Sequence, residues 1–205
     1  FEVITDTQWE YHRDDALNRV RALGFPLFVK PTRAGSSVGI SKVKNESELV
    51  DAIEVARTHD PKVIVEASIE NAREVECGVI STPQGTQASV CAEIIVREGH
   101  EFYDYEAKYV DDSVDLIVPA NLSEDVSQRV RQIACQAFDA IGGEGLARVD
   151  VFVAGDNILI NEINTMPGFT AISMFPRMWS HSGMDYPTLV DHLVQDALRR
   201  GTGLR

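Results

Sequence analysis

The sequence predicts an α+β protein in two units, and three observations carry that expectation. Segments with helical and with strand periodicity alternate, without repeats or low-complexity tracts. The short polar stretch "ENAR", residues 70–73, separates two such sets of elements. The chain, 205 residues with 44% hydrophobic and 25% charged residues, is long enough for one sizeable core or two small ones. We therefore expect a first unit over residues 1–70 and a second over 71–205.

In the first unit, residues 8–23 read as a helix with Leu17, Val20 and Leu23 on one stripe and Thr7 as its cap. "FPLFVK" (25–30) and "VGISKV" (38–43) read as strands flanking a Gly/Ser-rich loop. Asn45, with Glu48 three residues on, opens a helix that runs to about Thr58. "KVIVEASI" (62–69), "EVECGVI" (74–80) and "ASVCAEIIV" (88–96) are strand candidates on either side of the hinge. Residues 97–113 are too polar and irregular for a regular element, and loops of that length are usually functional or disordered. A short strand near 114–118 follows, then a helix from Ser123. Acidic Glu124 and Asp125 fill its first turn, and Val130, Ile133, Ala134, Ala137, Phe138 and Ile141 share one face. "LARVDVFV" (146–153) and "NILINEIN" (157–164) are strands joined at "AGD", and a last helix is expected from Thr188 to Arg199.

Composition excludes some functions. A formal net charge of −13 repels a phosphate backbone and no Lys/Arg run offsets it, so nucleic acid is not an expected partner. No apolar run approaches the roughly 18 residues of a membrane span, and no signal-like start is present, so no membrane partner is expected either. Cys77, Cys91 and Cys135 lack CxxC spacing and read as reduced structural cysteines of a cytoplasmic protein. The first residue is Phe1, which suggests numbering that begins inside a longer chain.

The chemistry is concentrated in "LINEINTMPGF", residues 159–169, where Glu162 and Asn164 interrupt an apolar strand. Side chains alternate along a strand, so Glu162 and Asn164 share a face, as do Arg148 and Asp150 in the preceding strand. A hairpin loop of three or five residues would set Asp150 opposite Glu162 and Arg148 opposite Asn164. A loop of two or four would put Asp150 and Glu162 on opposite faces. The plainer alternative is a half-exposed hairpin with a solvated polar face. Hard oxygen donors without His or Cys suit Mg²⁺, which leaves ligand positions to water and phosphates. "VKPTRAGSSVGI" (29–40) supplies Lys30 at a strand end and a loop with Gly35, Ser36, Ser37 and Gly39 whose donors could face an anion. It lacks the GxxxxGK[ST] pattern, and an ordinary Gly/Ser turn remains an alternative. Lys108 and Tyr109 lie in the long polar stretch, and Glu66 and Glu74 flank the hinge.

In this order, "FPLFVKPTRAGSSVGISKV", "VIVEASIENAREVECGV", "EFYDYEAKY", "ARVDVFV" and "NEINTMPGFTAISMFP" resemble the D-alanine:D-alanine ligases of the ATP-grasp superfamily. The resemblance covers essentially the whole chain. It implies two α+β subdomains that grip ATP between antiparallel sheets, and a ligase that joins two D-alanines through an acyl phosphate for peptidoglycan precursor synthesis. ATP would be the co-substrate, with two Mg²⁺ (or Mn²⁺) ions, in a cytoplasmic enzyme compatible with a homodimeric parent. Lys30 and Lys108 would bind phosphates, the latter from a mobile loop over 97–113. Glu66, Ala67 and Ile69 would read adenine and Glu74 the ribose. Asp150, Glu162 and Asn164 would hold the metals. Arg148 and the Gly168 N–H would face an oxyanion, Ser173 and Met174 would hold the second substrate's carboxylate, and Ser36 would pair with Tyr109. The family's preceding domain is not in these 205 residues, so the chain alone is expected to be an incomplete, inactive part of the enzyme. Two alternatives remain: another ATP-grasp carboxylate–amine ligase, and a nucleotide-binding module without catalysis.

Tyr109 matches a position that is histidine in the family's D-lactate-using relatives. A neutral phenol leaves an amine free to approach, whereas an imidazolium repels a protonated one. The full-length protein, given D-alanine and D-lactate at neutral pH, is expected to yield the dipeptide; a predominance of D-alanyl-D-lactate by mass spectrometry would overturn this.

Overall fold

The structure is a computed structural model that describes residues 1–96 and 114–200, in two compact units. The first comprises residues 1–70. Its sheet has the order β1-β4-β2-β3, with β1 (Glu2–Ile4), β2 (Leu27–Pro31), β3 (Ser41–Val43) and β4 (Val63–Ala67), all antiparallel neighbours. The long helix expected over 8–23 is instead two helices, α1 (Asp6–Tyr11) and α2 (Arg13–Arg21). They break at His12, which leaves the helical region at φ −139°, ψ 37°. The cap is Thr5 rather than Thr7: its hydroxyl accepts from the Gln8 N–H while the Gln8 side chain accepts from the Thr5 N–H, a reciprocal capping box. The break lets Trp9 on α1 and Ala16, Leu17 and Val20 on α2 all enter one core. Trp9 also donates its indole N–H to Glu54 at 2.9 Å. Glu54 belongs to α3 (Glu46–Arg57), which starts where expected: Asn45 accepts from the Ser47 N–H and the Glu48 carboxylate accepts from the Lys44 N–H.

The second unit is a five-stranded antiparallel sheet of order β7-β6-β5-β8-β9. Its strands are β5 (Arg73–Thr82), β6 (Gly85–Val96), β7 (Val114–Ile117), β8 (Leu146–Ala154) and β9 (Asn157–Asn164). One face packs on α4 (Glu124–Ala140), whose Val130, Ala134, Ala137 and Phe138 meet Val75, Cys77, Val79, Ala147, Val149 and Val151. Ile141, expected on that helical stripe, is instead the exposed C-cap residue. The other face is only partly covered, by α5 (Met174–His181) and α6 (Tyr186–Arg200), through Phe175, Trp179 and Leu189 on Ile80 and through Met174 and Met178 on Ala92. α5 was not expected, and α6 begins two residues before the anticipated Thr188.

Gly78 lets α5 approach. A Cβ there would lie 2.9 Å from Trp179 Nε1, 3.1 Å from Ser89 Oγ and 3.2 Å from Phe175 Cε2. Gly78→Ala therefore overpacks this face and is expected to destabilise the second unit by about 1–3 kcal/mol, read as a lower urea midpoint; an unchanged midpoint would contradict the close approach.

Candidate functional site

The hairpin of β8 and β9 sets the chemistry of the second unit. Its loop has two residues, Gly155 and Asp156, between the paired Ala154 and Asn157. Gly155, at φ 58°, occupies the first loop position, where one class of two-residue hairpin turn places glycine. By alternation alone, a two-residue loop would set Asp150 and Glu162 on opposite faces. A β-bulge prevents this: Val151 pairs with Ile160, whereas Asp150 pairs with Glu162, so Asn161 is one additional residue and every partner beyond it changes by one. Asp150 thus faces Glu162 and Arg148 faces Asn164. The connection read as "AGD" is thus shorter by one residue, Ala154 being paired in β8, while the expected pairing of Asp150 with Glu162 is present.

The face is then read across three strands. Glu76 of β5 pairs with Asp150, and Gly78 with Arg148. The Arg148 guanidinium donates to both Asp150 oxygens, Nε to Oδ1 at 2.7 Å and Nη2 to Oδ2 at 2.6 Å. Glu76 Oε1 lies 3.2 Å from Arg148 Nε, and Glu162 Oε1 lies 3.9 Å from Nη2. Burial works against the Arg148 charge, but the hydrogen bonds to Asp150 and the charges of Asp150, Glu76 and Glu162 outweigh it and hold the guanidinium above its ordinary pKa. Burial pushes the Asp150 carboxyl up to about 6; Arg148 pulls it down, and the neighbouring Glu162 adds to the rise. Asn164 Oδ1 accepts the Met166 N–H at 3.0 Å and so shapes the turn that follows.

That turn leads to α5. Ser173 is its N-cap residue, but its hydroxyl serves the loop, accepting from the Thr170 N–H at 3.0 Å and lying 2.8 Å from Thr170 Oγ1. Gly168 lies against this hydroxyl, where a Cβ would stand 3.1 Å away. Met174 opens the helix and packs with Met178 on Ala92, the β6 partner of Glu76. The start of α5 is thereby held over the same sheet face as the Arg148 cluster. Glu74 also belongs to this face, opposite Phe152 and Ile94.

The first unit carries its own constellation. Lys30 near the end of β2 pairs with Glu66 of β4, Nζ to Oε2 at 2.6 Å, both half-buried. Ala67 closes β4 opposite Leu27, and Ile69 is half-buried beyond it. Between β2 and β3, Ser36 and Ser37 hold left-handed backbone, φ 55° and 59°, which L residues adopt only at an energetic cost and which recurs where chain is shaped for a ligand. Lys108 and Tyr109 lie outside the described residues.

Sequence reasoning missed Glu76. The signal was its place in "EVECGVI", two residues beyond Glu74 and so on the same face, but the β5–β8 pairing that brings it to Arg148 is not written locally.

Residues 1–195 match the family model described as D-ala D-ala ligase C-terminus. The chain belongs to that family. It is 58% identical over 186 residues to the D-alanine–D-alanine ligase of Nocardia farcinica, covering 89% of this chain and 51% of that one. With the corresponding ligase of Kineococcus radiotolerans it shares 52% identity over 205 residues, covering 97% and 54%. Among solved structures, the VanG D-Ala:D-Ser ligase from Enterococcus faecalis superposes with a TM-score of 0.82 at 36% identity, covering 94% of this chain and 55% of that one. The D-alanine-D-alanine ligase from Coxiella burnetii gives 0.74 at 34% identity, covering 97% and 52%. The chain thus spans about half the length of the relatives it matches. The expected α+β, ATP-grasp fold with antiparallel sheets is the fold of these neighbours.

Asp150 in this family member binds its proton more tightly folded than unfolded. Its contribution to stability is therefore fully present below about pH 4, near the unfolded carboxylate value, and is lost as pH rises through about 6. Asp150→Asn should flatten the stability profile across that window in urea titrations; an unaltered slope would sink the assignment.

Proposed function

We propose that this chain is the nucleotide- and metal-binding part of an ATP-dependent D-alanine:D-alanine ligase of the cytoplasm, one that makes a peptidoglycan precursor. The observation that carries the reading is the bulged register that sets Asp150 against Glu162 and Arg148 against Asn164 on one half-open sheet face. The curated relatives at 52–58% identity support it.

Magnesium fits this donor set. Among the described residues no three His, Cys, Asp or Glu side chains converge as a cage. Two carboxylates and an amide, with the remaining ligands left to water and phosphate, are what a small hard cation takes. Asp150, Glu162 and Asn164 would hold two Mg²⁺ (or Mn²⁺), which supply charge neutralisation at a transferring phosphoryl group when bound.

The chain's own residues do the rest. Lys30 neutralises phosphate charge, aided by the Ser36–Ser37 turn, whose left-handed backbone is of the kind that forms anion-binding concavities. Glu66, Ala67 and Ile69 read adenine, Glu74 takes the ribose hydroxyls, and Lys108 and Tyr109 act from the segment between β6 and β7. The carboxylate of the first D-alanine attacks the γ-phosphate, forming an acyl phosphate and ADP. The amine of the second D-alanine attacks the acyl carbon, and phosphate leaves as the peptide bond forms. Arg148 and the Gly168 N–H stabilise the oxyanion of that tetrahedral intermediate; losing one such donor raises a barrier by roughly 3–4 kcal/mol. Ser173 and the start of α5 hold the second substrate's carboxylate, where a helix N-terminus favours negative charge.

The test is an assay of the full-length protein with ATP, Mg²⁺ and D-alanine, with D-serine as a competing acceptor. D-alanyl-D-alanine with stoichiometric ADP is expected, and Glu162→Gln, which removes a charge without changing volume, should lose most turnover while its melting curve persists. Absence of dipeptide from the wild type, or a preference for D-serine, would overturn the reading.

A further inference from the structure

Three carboxylates surround the Arg148 guanidinium, and they differ in depth. The side chain of Glu76, on the central strand β5, is 4% exposed, that of Asp150 on β8 is 15% exposed, and that of Glu162 on the edge strand β9 is 55% exposed. One positive and three negative charges leave this cluster with an excess of negative charge, which favours a cation. A hydrated Mg²⁺ gives up its waters reluctantly and binds through accessible oxygens, which favours Glu162 and Asp150 over Glu76. Asp150 is also the residue to which Arg148 donates twice. Any cation held by Asp150 competes for those oxygens, and Glu76, 3.2 Å from Arg148 Nε, is the remaining buried carboxylate against the guanidinium.

We propose that Glu76 is a positioning residue that retains the Arg148 guanidinium on this face when Asp150 turns to a cation. The inference rests on the ligase reading for its catalytic consequence, but not for its geometry. A neutral side chain at residue 76 weakens the pull on Arg148 from the β5 side. Arg148 then leans more fully on Asp150, withdrawing from an oxyanion and competing with the cation. Residues that orient a catalytic or metal-binding group in this way typically contribute 10- to 100-fold to activity.

The experiment uses the full-length protein and two readouts. In the metal-free protein, the ¹⁵N–¹H signal of Arg148 Nε, assigned with Arg148→Lys, is expected to shift or broaden in Glu76→Gln. In steady-state assays with ATP, Mg²⁺ and D-alanine, Glu76→Gln should lower kcat about 10- to 100-fold with the KM for ATP changed less than about twofold. In the Arg148→Lys background the same substitution should change kcat less than about threefold, because residues that act as a unit are not additive. An unmoved Arg148 signal, an unchanged kcat, or an equal loss in both backgrounds would falsify the positioning role. If Glu76→Gln does not fold, Glu76→Asp, which keeps the charge but withdraws it by one methylene, is read by the same criteria. A wild type that makes no dipeptide sinks the ligase reading, and the Arg148 signal then still decides the geometry.

Discussion

Arg148 stands 2.6–2.7 Å from both oxygens of Asp150, two largely buried side chains on a half-open sheet face, and much of the second unit is arranged around that contact. An unpaired charge in such a place costs several kcal/mol. The carboxylates that compensate it come from three adjacent strands, so they exist only if β5, β8 and β9 are in register. The opposite face of the same strands is apolar and committed to α4. A slip of one residue in β8 would bury charge against α4 and expose valines, so the packing of one face enforces the electrostatics of the other.

Coverage of the polar face follows from residue size. Gly78 and Ala92 leave room where α5 lies down, and its Phe175 and Trp179 cover the neighbouring Ile80. The helix therefore shields part of the face and brings its first residue, Met174, over Ala92, the β6 partner of Glu76. The loop before it is held by its own polar groups and by α6: Asn164 and Ser173 each accept from a backbone N–H two or three residues away, and the Tyr186 hydroxyl donates to the Phe169 carbonyl at 2.9 Å.

Much of this was legible in the sequence, and the failures have physical reasons. Asn45 and Ser123 announce helices because caps are local, and the Arg148/Asp150 and Glu162/Asn164 pairs follow from the strand period. His12 carries no breaker signature, and its helix break is set by the burial of Trp9 and Val20, a tertiary demand. The three-residue β1 is too short to show alternation. α5 hides because Pro176 reads as a stop, although Pro is tolerated in a first turn, where its missing N–H would have had no helical partner. Glu76 reads as one more strand residue until the distant β8 is laid beside it. The bulge at Asn161 could not be read at all, since an added residue in a strand has no composition of its own.

That bulge has a consequence on the outward side of β9. The strand is an edge of its sheet, and an edge with an unbroken row of N–H and C=O groups is a template on which a second chain can add. One residue out of step interrupts the row midway, and the heightened local twist turns the two halves out of line. A straight strand from another molecule could match one half but not both. The irregularity that aims Glu162 inward therefore also guards the molecule against sheet extension and the aggregation that begins there.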